Sequence, residues 1–464
     1  MKTKFYKNTM IKASLSLIAI LPLMGGCDNF TETGLTPTQL DTNAVFENSS
    51  TATAALTDVY ARIREASLLS GKNSGTGYRL GLYADELTWY GSTAIQTAFY
   101  NNSVLPSTAG LDVMWNNTYS QIYATNAVIV GVAASQTLQE SDKQQLIGEA
   151  LFIRALEHFY LNQLWGEVPY ITTTDYRINR IASRVSQAEF NQKLIDDLEQ
   201  AAQLLPDAYI DIDRVRPNSF AARALLARVY LYAQRWAEAA NEASAVLNQT
   251  ELYVWDTDLS QVFLKDNATT ILQLKPRNEG LNTDEASSFY FNSTPTVVSL
   301  RLDLIAAFET GDLRLSNWTR KVTNNNGTWY HAYKYKERTN TGSSVEYSKI
   351  LRLAEQYLIR AEARARQGEL IGALEDLNVI RNTAGLGNCL AVSQEEVIQA
   401  ILKERRVELF TEYGHRFMDL KRYNQLDAAL ETVKPGWDAT NRLLPIAESE
   451  LSLNPNLKPQ NPGY

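Results

Sequence analysis

Two segments far apart in this chain share one constraint that limits its fold. SFAARALLARVYLYAQRWAEAANEASAVL (219–247) and ILRLAEQYLIRAEARARQGELIGALEDLNVIR (350–381) each read as two helices interrupted by a polar break, at Gln234 and Arg235 in the first and at Gln367 and Gly368 in the second. Each carries a pair of small residues twelve apart across its break, Ala227 with Ala239 and Ala361 with Ala373. Small side chains at matched positions on facing helices let the two axes approach closely, and recurrence of the offset in two units predicts stacked, repeat-like helix hairpins of the tetratricopeptide kind.

Further helical periods surround them. Ala55, Val59 and Ile63 recur at helical spacing in 51–67, and Met114, Ile122 and Ala127 mark a second helix. GEALFIRALEHFYLNQLWGEVPY, from Gly148, places Phe152, Ala155 and Phe159 on one face and stops at Gly166 and Pro169; another helix follows from Gln187 to Leu205. Residues 395–424 read as a helix with a charge ladder. Arg405 with Glu408 and Glu412 with Arg416 stand at i,i+3 and i,i+4, and Arg405 shares a face with Ile398, Ile401 and Leu409, so it is expected to be partly buried and paired. Residues 68–112 and 276–346 are loop-rich, with NNNGTWYHAY resembling a strand or hairpin tip. With 464 residues, 45% of them apolar, the expectation is a mostly α body of helix hairpins with long irregular loops and minor β hairpins.

The amino-terminal segment predicts where the chain resides. Lys2, Lys4, Lys7 and Lys12 precede the apolar run from Ala13 to Met24, which is well short of the ~20 residues a spanning helix needs. Gly25 and Gly26 then lead to Cys27, the pattern of a lipoprotein signal in which Cys27 is the lipidated residue, Met24 replacing the usual Leu. Two or more acyl chains give stable membrane anchoring. The expected organisation is a signal over 1–26, a polar, Thr-rich tether over 27–44, and a single body over 45–464 with an N-terminal part to 215 and a C-terminal part from 216. Net charge is −8, which disfavours nucleic acid as a partner. The two cysteines, Cys27 and Cys389, offer no intramolecular disulfide if the first is acylated; His158, His331 and His415 lie too far apart in sequence to suggest a zinc site, so neither metal nor cofactor is expected.

The 24 Tyr and 8 Trp fall largely outside the regular helices. Flat rings beside Asn, Asp and Arg on loops suit a saccharide, whose C–H face packs on an aromatic ring while its hydroxyls take hydrogen bonds. Asp85, Trp89 and Tyr90, followed by Tyr100, Asn101 and Asn102, form one such group. Tyr290 and Trp318 are the stronger choices in a second region that also holds Phe289, Phe291, Trp329 and Tyr330. Asp312 and Arg314, in FETGDLR, read as a structural pair closing a turn. An enzyme is not expected: adjacent Asp85 and Glu86 would face opposite ways on a strand and could not flank one glycosidic bond, and G-x-S-x-G, P-loop, G-x-G-x-x-G and H-E-x-x-H patterns are absent.

Taken in order, 148–170, 219–247, 350–365, DLNVIRNTAGL, KERRVELFTEYGHRFMDLKRYN and LLPIAESELSLNPNLKPQNPGY resemble the SusD/RagB family along nearly the whole chain after the signal. Ala447 departs from the Pro more usual in that closing block. The resemblance implies about four tetratricopeptide-like hairpins carrying a shallow glycan site in irregular loops. It also implies a lipid-anchored, cell-surface position at the outer membrane, with delivery of a captured oligosaccharide to a SusC-like TonB-dependent transporter. The region around Asp85 lies where the family places binding residues. A different class of function, a repeat scaffold that binds peptide or protein at the outer membrane, is the alternative reading.

Overall fold

The computed structural model describes residues 42–464. Phe46–Tyr464 forms one compact unit, and of the residues before it the described part is one helical turn, Thr42–Val45. The signal, Cys27 and nearly all of the expected tether lie outside the described residues.

The body is mostly helical. Helix α1 (Ser49–Ala66) starts where the Asn48 side chain accepts from the Ser50 amide, and it buries Ala52, Leu56, Val59 and Ile63, a single stripe at helical spacing. Residues 68–112, expected to be loops, also contain α2 (Thr76–Tyr83), the short strand β1 (Leu87–Trp89) and α3 (Ala94–Tyr100). Then follow α4 (Leu111–Ala134), α5 (Glu140–Trp165), α6 (Gln187–Leu204), α7 (Ser219–Tyr232) and α8 (Trp236–Leu247). Consecutive members pack on each other from α4 to α8. Helix α5 is buried on every face from Gly148 onwards because α4 and α6 flank it, so it is a central helix rather than an amphipathic one.

The second half adds β2 (Thr270–Leu274), β3 (Val298–Leu300), α9 (Leu313–Trp318), β4 (Thr319–Asn324), β5 (Gly327–Ala332), β6 (Ser348–Arg352), α10 (Leu353–Arg366), α11 (Leu370–Thr383), α12 (Gln394–Glu408) and α13 (His415–Arg422). Helix α10 packs on both α8 and α11. Ala227, Ala239, Ala361 and Ala373 are all fully buried, as close helix approach requires. Both breaks turn on one left-handed residue near the predicted position, Gln234 at φ +60° and Gly368 at φ +85°. Among the described residues three two-stranded antiparallel sheets form: β1 with β3, β2 with β6, and the β4–β5 hairpin that the NNNGTWYHAY pattern predicts.

The expected helix over 395–424 is two helices instead. The chain leaves α12 after Glu408 and passes through left-handed Thr411, Tyr413 and Gly414 before α13. A buried lysine fixes this break: Lys334 Nζ donates to the Glu408 and Phe410 carbonyls at 2.8 and 2.9 Å and to Glu412 Oε1 at 2.5 Å. The charge ladder is rewired with it. Arg405 is buried, as expected, but pairs with Asp419 at 2.7 Å; Glu412 faces Arg352, and Arg416 faces Asp85. Asp312 and Arg314 are structural, as read from sequence. The Asp312 carboxylate accepts from the Arg314 amide at the start of α9 and from its guanidinium, which also reaches Glu404 at 2.6 Å and Glu408 at 2.9 Å.

The last forty residues close over the N-terminal part. Tyr83 Oη donates to the Asn441 carbonyl and Trp165 Nε1 to the Pro445 carbonyl, each at 2.9 Å. Lys434 Nζ, buried, donates to the Leu82 and Tyr100 carbonyls, and Asn461 Nδ2 donates to the Trp165 carbonyl at 2.8 Å. Gly436 sits so close to Asn101 that a Cβ there would lie 1.9 Å from its carbonyl oxygen.

Candidate functional site

Strand β1 is three residues long, pairs with β3 through Leu87 to Leu300 and Trp89 to Val298, and ends at the surface. Leu87 is the buried anchor; Trp89 is half-buried, donating from Nε1 to Thr97 Oγ1 of α3 at 3.0 Å and lying against Gly91, where a Cβ would come 2.5 Å from its ring. Tyr90 follows and is 43% exposed. Its amide donates to the Val297 carbonyl at 2.9 Å and its hydroxyl meets Ser299 Oγ at 3.2 Å, so the ring is held at both ends while its body faces solvent.

Val297 closes the loop that Tyr290 opens. The β4–β5 hairpin holds this loop: Asn324 Nδ2 and Asn326 Nδ2 both donate to Thr294 Oγ1, at 3.0 and 3.3 Å. Behind it, buried His331 of β5 receives the edges of Tyr290 and Phe291, with ring centroids 5.4 and 5.1 Å away. The Arg338 guanidinium lies 3.3 Å from the Tyr290 ring centroid, covering one face of a half-buried ring. Trp329 and Tyr330 are half-buried on β5. The fold thus sets Tyr90 at the end of the β1–β3 pair and Tyr290 at the start of the loop that ends on Val297, the backbone partner of Tyr90.

Two expected site residues do not belong to that surface. Trp318 is 1% exposed: it closes α9 in the core, donates from Nε1 to the Leu259 carbonyl at 2.9 Å and meets Phe263 edge to face at 5.4 Å. Asp85 is 4% exposed, and its two carboxylate oxygens accept from Arg416 at 2.8 and 2.7 Å and from Arg406 at 2.9 Å. Burial pushes the Asp85 carboxyl up, but Arg416 and Arg406 outweigh it and hold it below its ordinary value. Its neighbour Glu86 is also buried and goes the other way: burial, then the Asp85 charge, push it up to about 8. Asn102 turns inward as well, donating to the Tyr83 carbonyl at 2.9 Å. Trp318 is lost to the site because a backbone acceptor 59 residues away completes its burial, and Asp85 because two arginines from the C-terminal helices reach it.

Sequence reasoning missed His331, Tyr333 and Arg338, which underlie and flank the surface; the only signal was their position in and after the hairpin. It also missed the size of the buried ion network around α12. There Arg352 bonds Glu408 at 2.6 Å and Glu412 at 2.8 Å, and Arg352 with Lys334 outweighs burial to hold the Glu412 carboxyl down at about 2. Two clefts among the described residues do not include Tyr90 in their lining: one is lined by Tyr78, Glu285, Phe289, Lys334, Tyr335 and Tyr413, the other by Arg64, Lys72, Arg277 and Asp284 among others. Among the described residues no cluster of three or more His, Cys, Asp or Glu is placed to hold a metal ion, and no helix is long and apolar enough to cross a membrane.

Comparison with known proteins gives concordant matches over both parts of the chain. Residues 39–231 match a SusD-like family model described as starch-binding associating with outer membrane, and residues 311–464 match the SusD family model. SusD-like protein P2 of Formosa agariphila is 25% identical over an alignment of 517 residues that covers 98% of this chain and 100% of that one. A SusD superfamily protein from Bacteroides vulgatus superposes with a TM-score of 0.80 at 22% identity, covering 90% of this chain and 99% of that one. A laminarin-binding SusD-like protein (24% identity) and surface glycan-binding protein A of Bacteroides fluxus (23%) each give a TM-score of 0.76 and cover 90% of this chain and 100% of their own.

Proposed function

The chain belongs to the SusD/RagB family, and from that premise we propose that it binds a glycan on the surface formed by Trp89, Tyr90 and the Tyr290–Val297 loop. The observation that carries the reading is Tyr90, a ring 43% exposed yet tied at both its hydroxyl and its backbone. A ring fixed before the ligand arrives loses little entropy when a sugar stacks on it, which is how a shallow surface gains useful affinity. Trp89 is pinned to α3 through Thr97, and Asn324 and Asn326 of the hairpin tip hold the loop through Thr294. Relatives named for laminarin binding and for surface glycan binding support the same ligand class.

The role is capture rather than cleavage. Asp85 and Glu86 are buried, Asp85 in ion pairs, which leaves no carboxylate of that pair to serve as acid or nucleophile at Tyr90. Delivery of the captured saccharide to a SusC-like TonB-dependent transporter, and anchoring through acylated Cys27 after removal of 1–26, complete the proposal.

Calorimetric titration of the full-length chain in non-ionic detergent with a glycan panel tests it. Tyr90→Ala is expected to weaken binding by about 1–2 kcal/mol and Tyr290→Ala by a similar amount. No binding across a broad panel, or unaltered affinity in both variants, refutes the site; failure to co-purify with a large outer-membrane barrel removes the delivery step.

A further inference from the structure

Three cations border these rings without an ion pair. Arg338 lies on Tyr290, and Arg320 and Lys336 approach the Tyr333 ring at 5.8 and 5.7 Å. Tyr333 in turn meets His331 at 5.9 Å, and His331 meets Tyr290 at 5.4 Å, so Arg338, Arg320 and Lys336 are linked through one connected set of rings. Among the described residues none of the three comes within 4.0 Å of an Asp or Glu oxygen. Elsewhere in this acidic chain exposed or half-exposed arginines are commonly paired, as Arg62 is with Asp58, Arg177 with Asp175 and Arg235 with Glu238.

Two acids lie near one of these cations: Glu346, which accepts from the backbone amides of Lys336 and Glu337 at 2.8–3.0 Å, and Asp258, which accepts from Ser260; their charges offset Lys336 and leave Arg320 and Arg338 as the cations without an acidic partner. Glu337 is the one acidic side chain within the 336–338 run itself. His331 adds no charge: burial lowers its pKa, and Arg320 and Arg338 push the same way. A guanidinium stacked by its face on a tyrosine keeps its N–H edge donors pointing outward, in a fork whose geometry matches a carboxylate or a sulfate ester.

Resting on the glycan-binding reading, we propose that the ligand is an acidic saccharide: its sugar ring packs at Tyr90 while its carboxylate or sulfate is taken by Arg338, with Arg320 adding long-range attraction. The test uses matched pairs that differ only in charge, an oligogalacturonide against its carboxyl-reduced form and a sulfated galactan oligosaccharide against its desulfated form. Each is titrated into the full-length chain at ~20 mM and ~500 mM salt. The expected result is about tenfold tighter binding of the acidic member of at least one pair at low salt, falling to within about threefold at high salt. The pair that shows the preference identifies the anion. Arg320→Gln with Arg338→Gln, both at exposed positions, should bring the ratio towards one. Equal affinity within each pair, binding of neutral glycans alone, or a ratio unmoved by the double substitution overturns the inference and leaves glycan binding standing; no binding to any probe or to the neutral panel overturns both.

Discussion

Asp85→Asn separates a structural acid from a ligand contact at the position where sequence and structure disagree. The side chain of Asp85 is 6% exposed and those of its partners Arg406 and Arg416 are 18% and 10% exposed, so the substitution leaves two guanidiniums facing a neutral amide with little water to replace the lost charge. Breaking a buried pair costs about 3–5 kcal/mol when both groups are fully enclosed; the residual exposure of the arginines and the remaining amide oxygen reduce this to about 2–4 kcal/mol. Unfolding entropy near 2 cal/mol/K per residue over a body of this size converts that to a Tm lower by about 2–5 °C. Scanning calorimetry measures it, and glycan titration of the same variant should give wild-type affinity. The pH dependence carries a sign. Arg416 and Arg406 depress the folded-state carboxyl, so its stabilisation is present above the unfolded value of about 3.9 and is lost as pH falls through the depressed value; the gap between wild type and variant should close on acidification below the unfolded value. An unchanged Tm with weakened glycan binding refutes this reasoning and returns Asp85 to the ligand.

Two further substitutions probe the body. Trp318→Ala should cost about 3–5 kcal/mol in denaturant unfolding, from a core cavity and an orphaned Leu259 carbonyl, with glycan affinity retained; a drop in affinity without a drop in stability contradicts the placement. Glu157 is fully buried, and burial pushes its pKa up to about 8 against the lowering effect of a hydrogen bond from Ser67. Its folded form holds a proton the unfolded form gives up near pH 4, so stability is complete below that value and declines as pH rises to about 8. Glu157→Gln should flatten the decline and be more stable than wild type at pH 8 by about 1–3 kcal/mol, read from urea midpoints at pH 5 and pH 8; parallel profiles contradict it.

The two repeat hairpins and their breaks were legible because they depend on local period and on small residues: Ala227 with Ala239 and Ala361 with Ala373 meet their expected burial, and Gln234 and Gly368 lie at the expected turns. The β4–β5 hairpin was legible for the same reason. Ion pairing was not. Opposite charges three or four residues apart satisfy each other only while the helix runs on and stays wet; here α12 ends at Glu408, and burial drives each charge to the most complete partner in space. Arg405 therefore finds Asp419, Glu408 finds Arg314 and Arg352, and Arg416 finds Asp85. The site divides likewise. Tyr90 is exposed at a strand end, as loop aromatics suggest, whereas Trp318 and Asp85 are claimed by Leu259 and by two arginines more than 300 residues along the chain, acceptors and donors that no local pattern exposes.

The carboxy-terminal closure has a consequence for how such a molecule is made. Until Lys434, Asn441, Pro445 and Asn461 emerge from the ribosome, the Leu82, Tyr100 and Trp165 carbonyls, the Tyr83 hydroxyl and the Trp165 indole lack the partners that finish their burial. Nascent intermediates therefore keep sticky, half-dressed interiors through most of translation, which makes holdase chaperones their natural guardians. A stop codon or protease cut ahead of residue 434 should therefore yield insoluble protein rather than a working fragment.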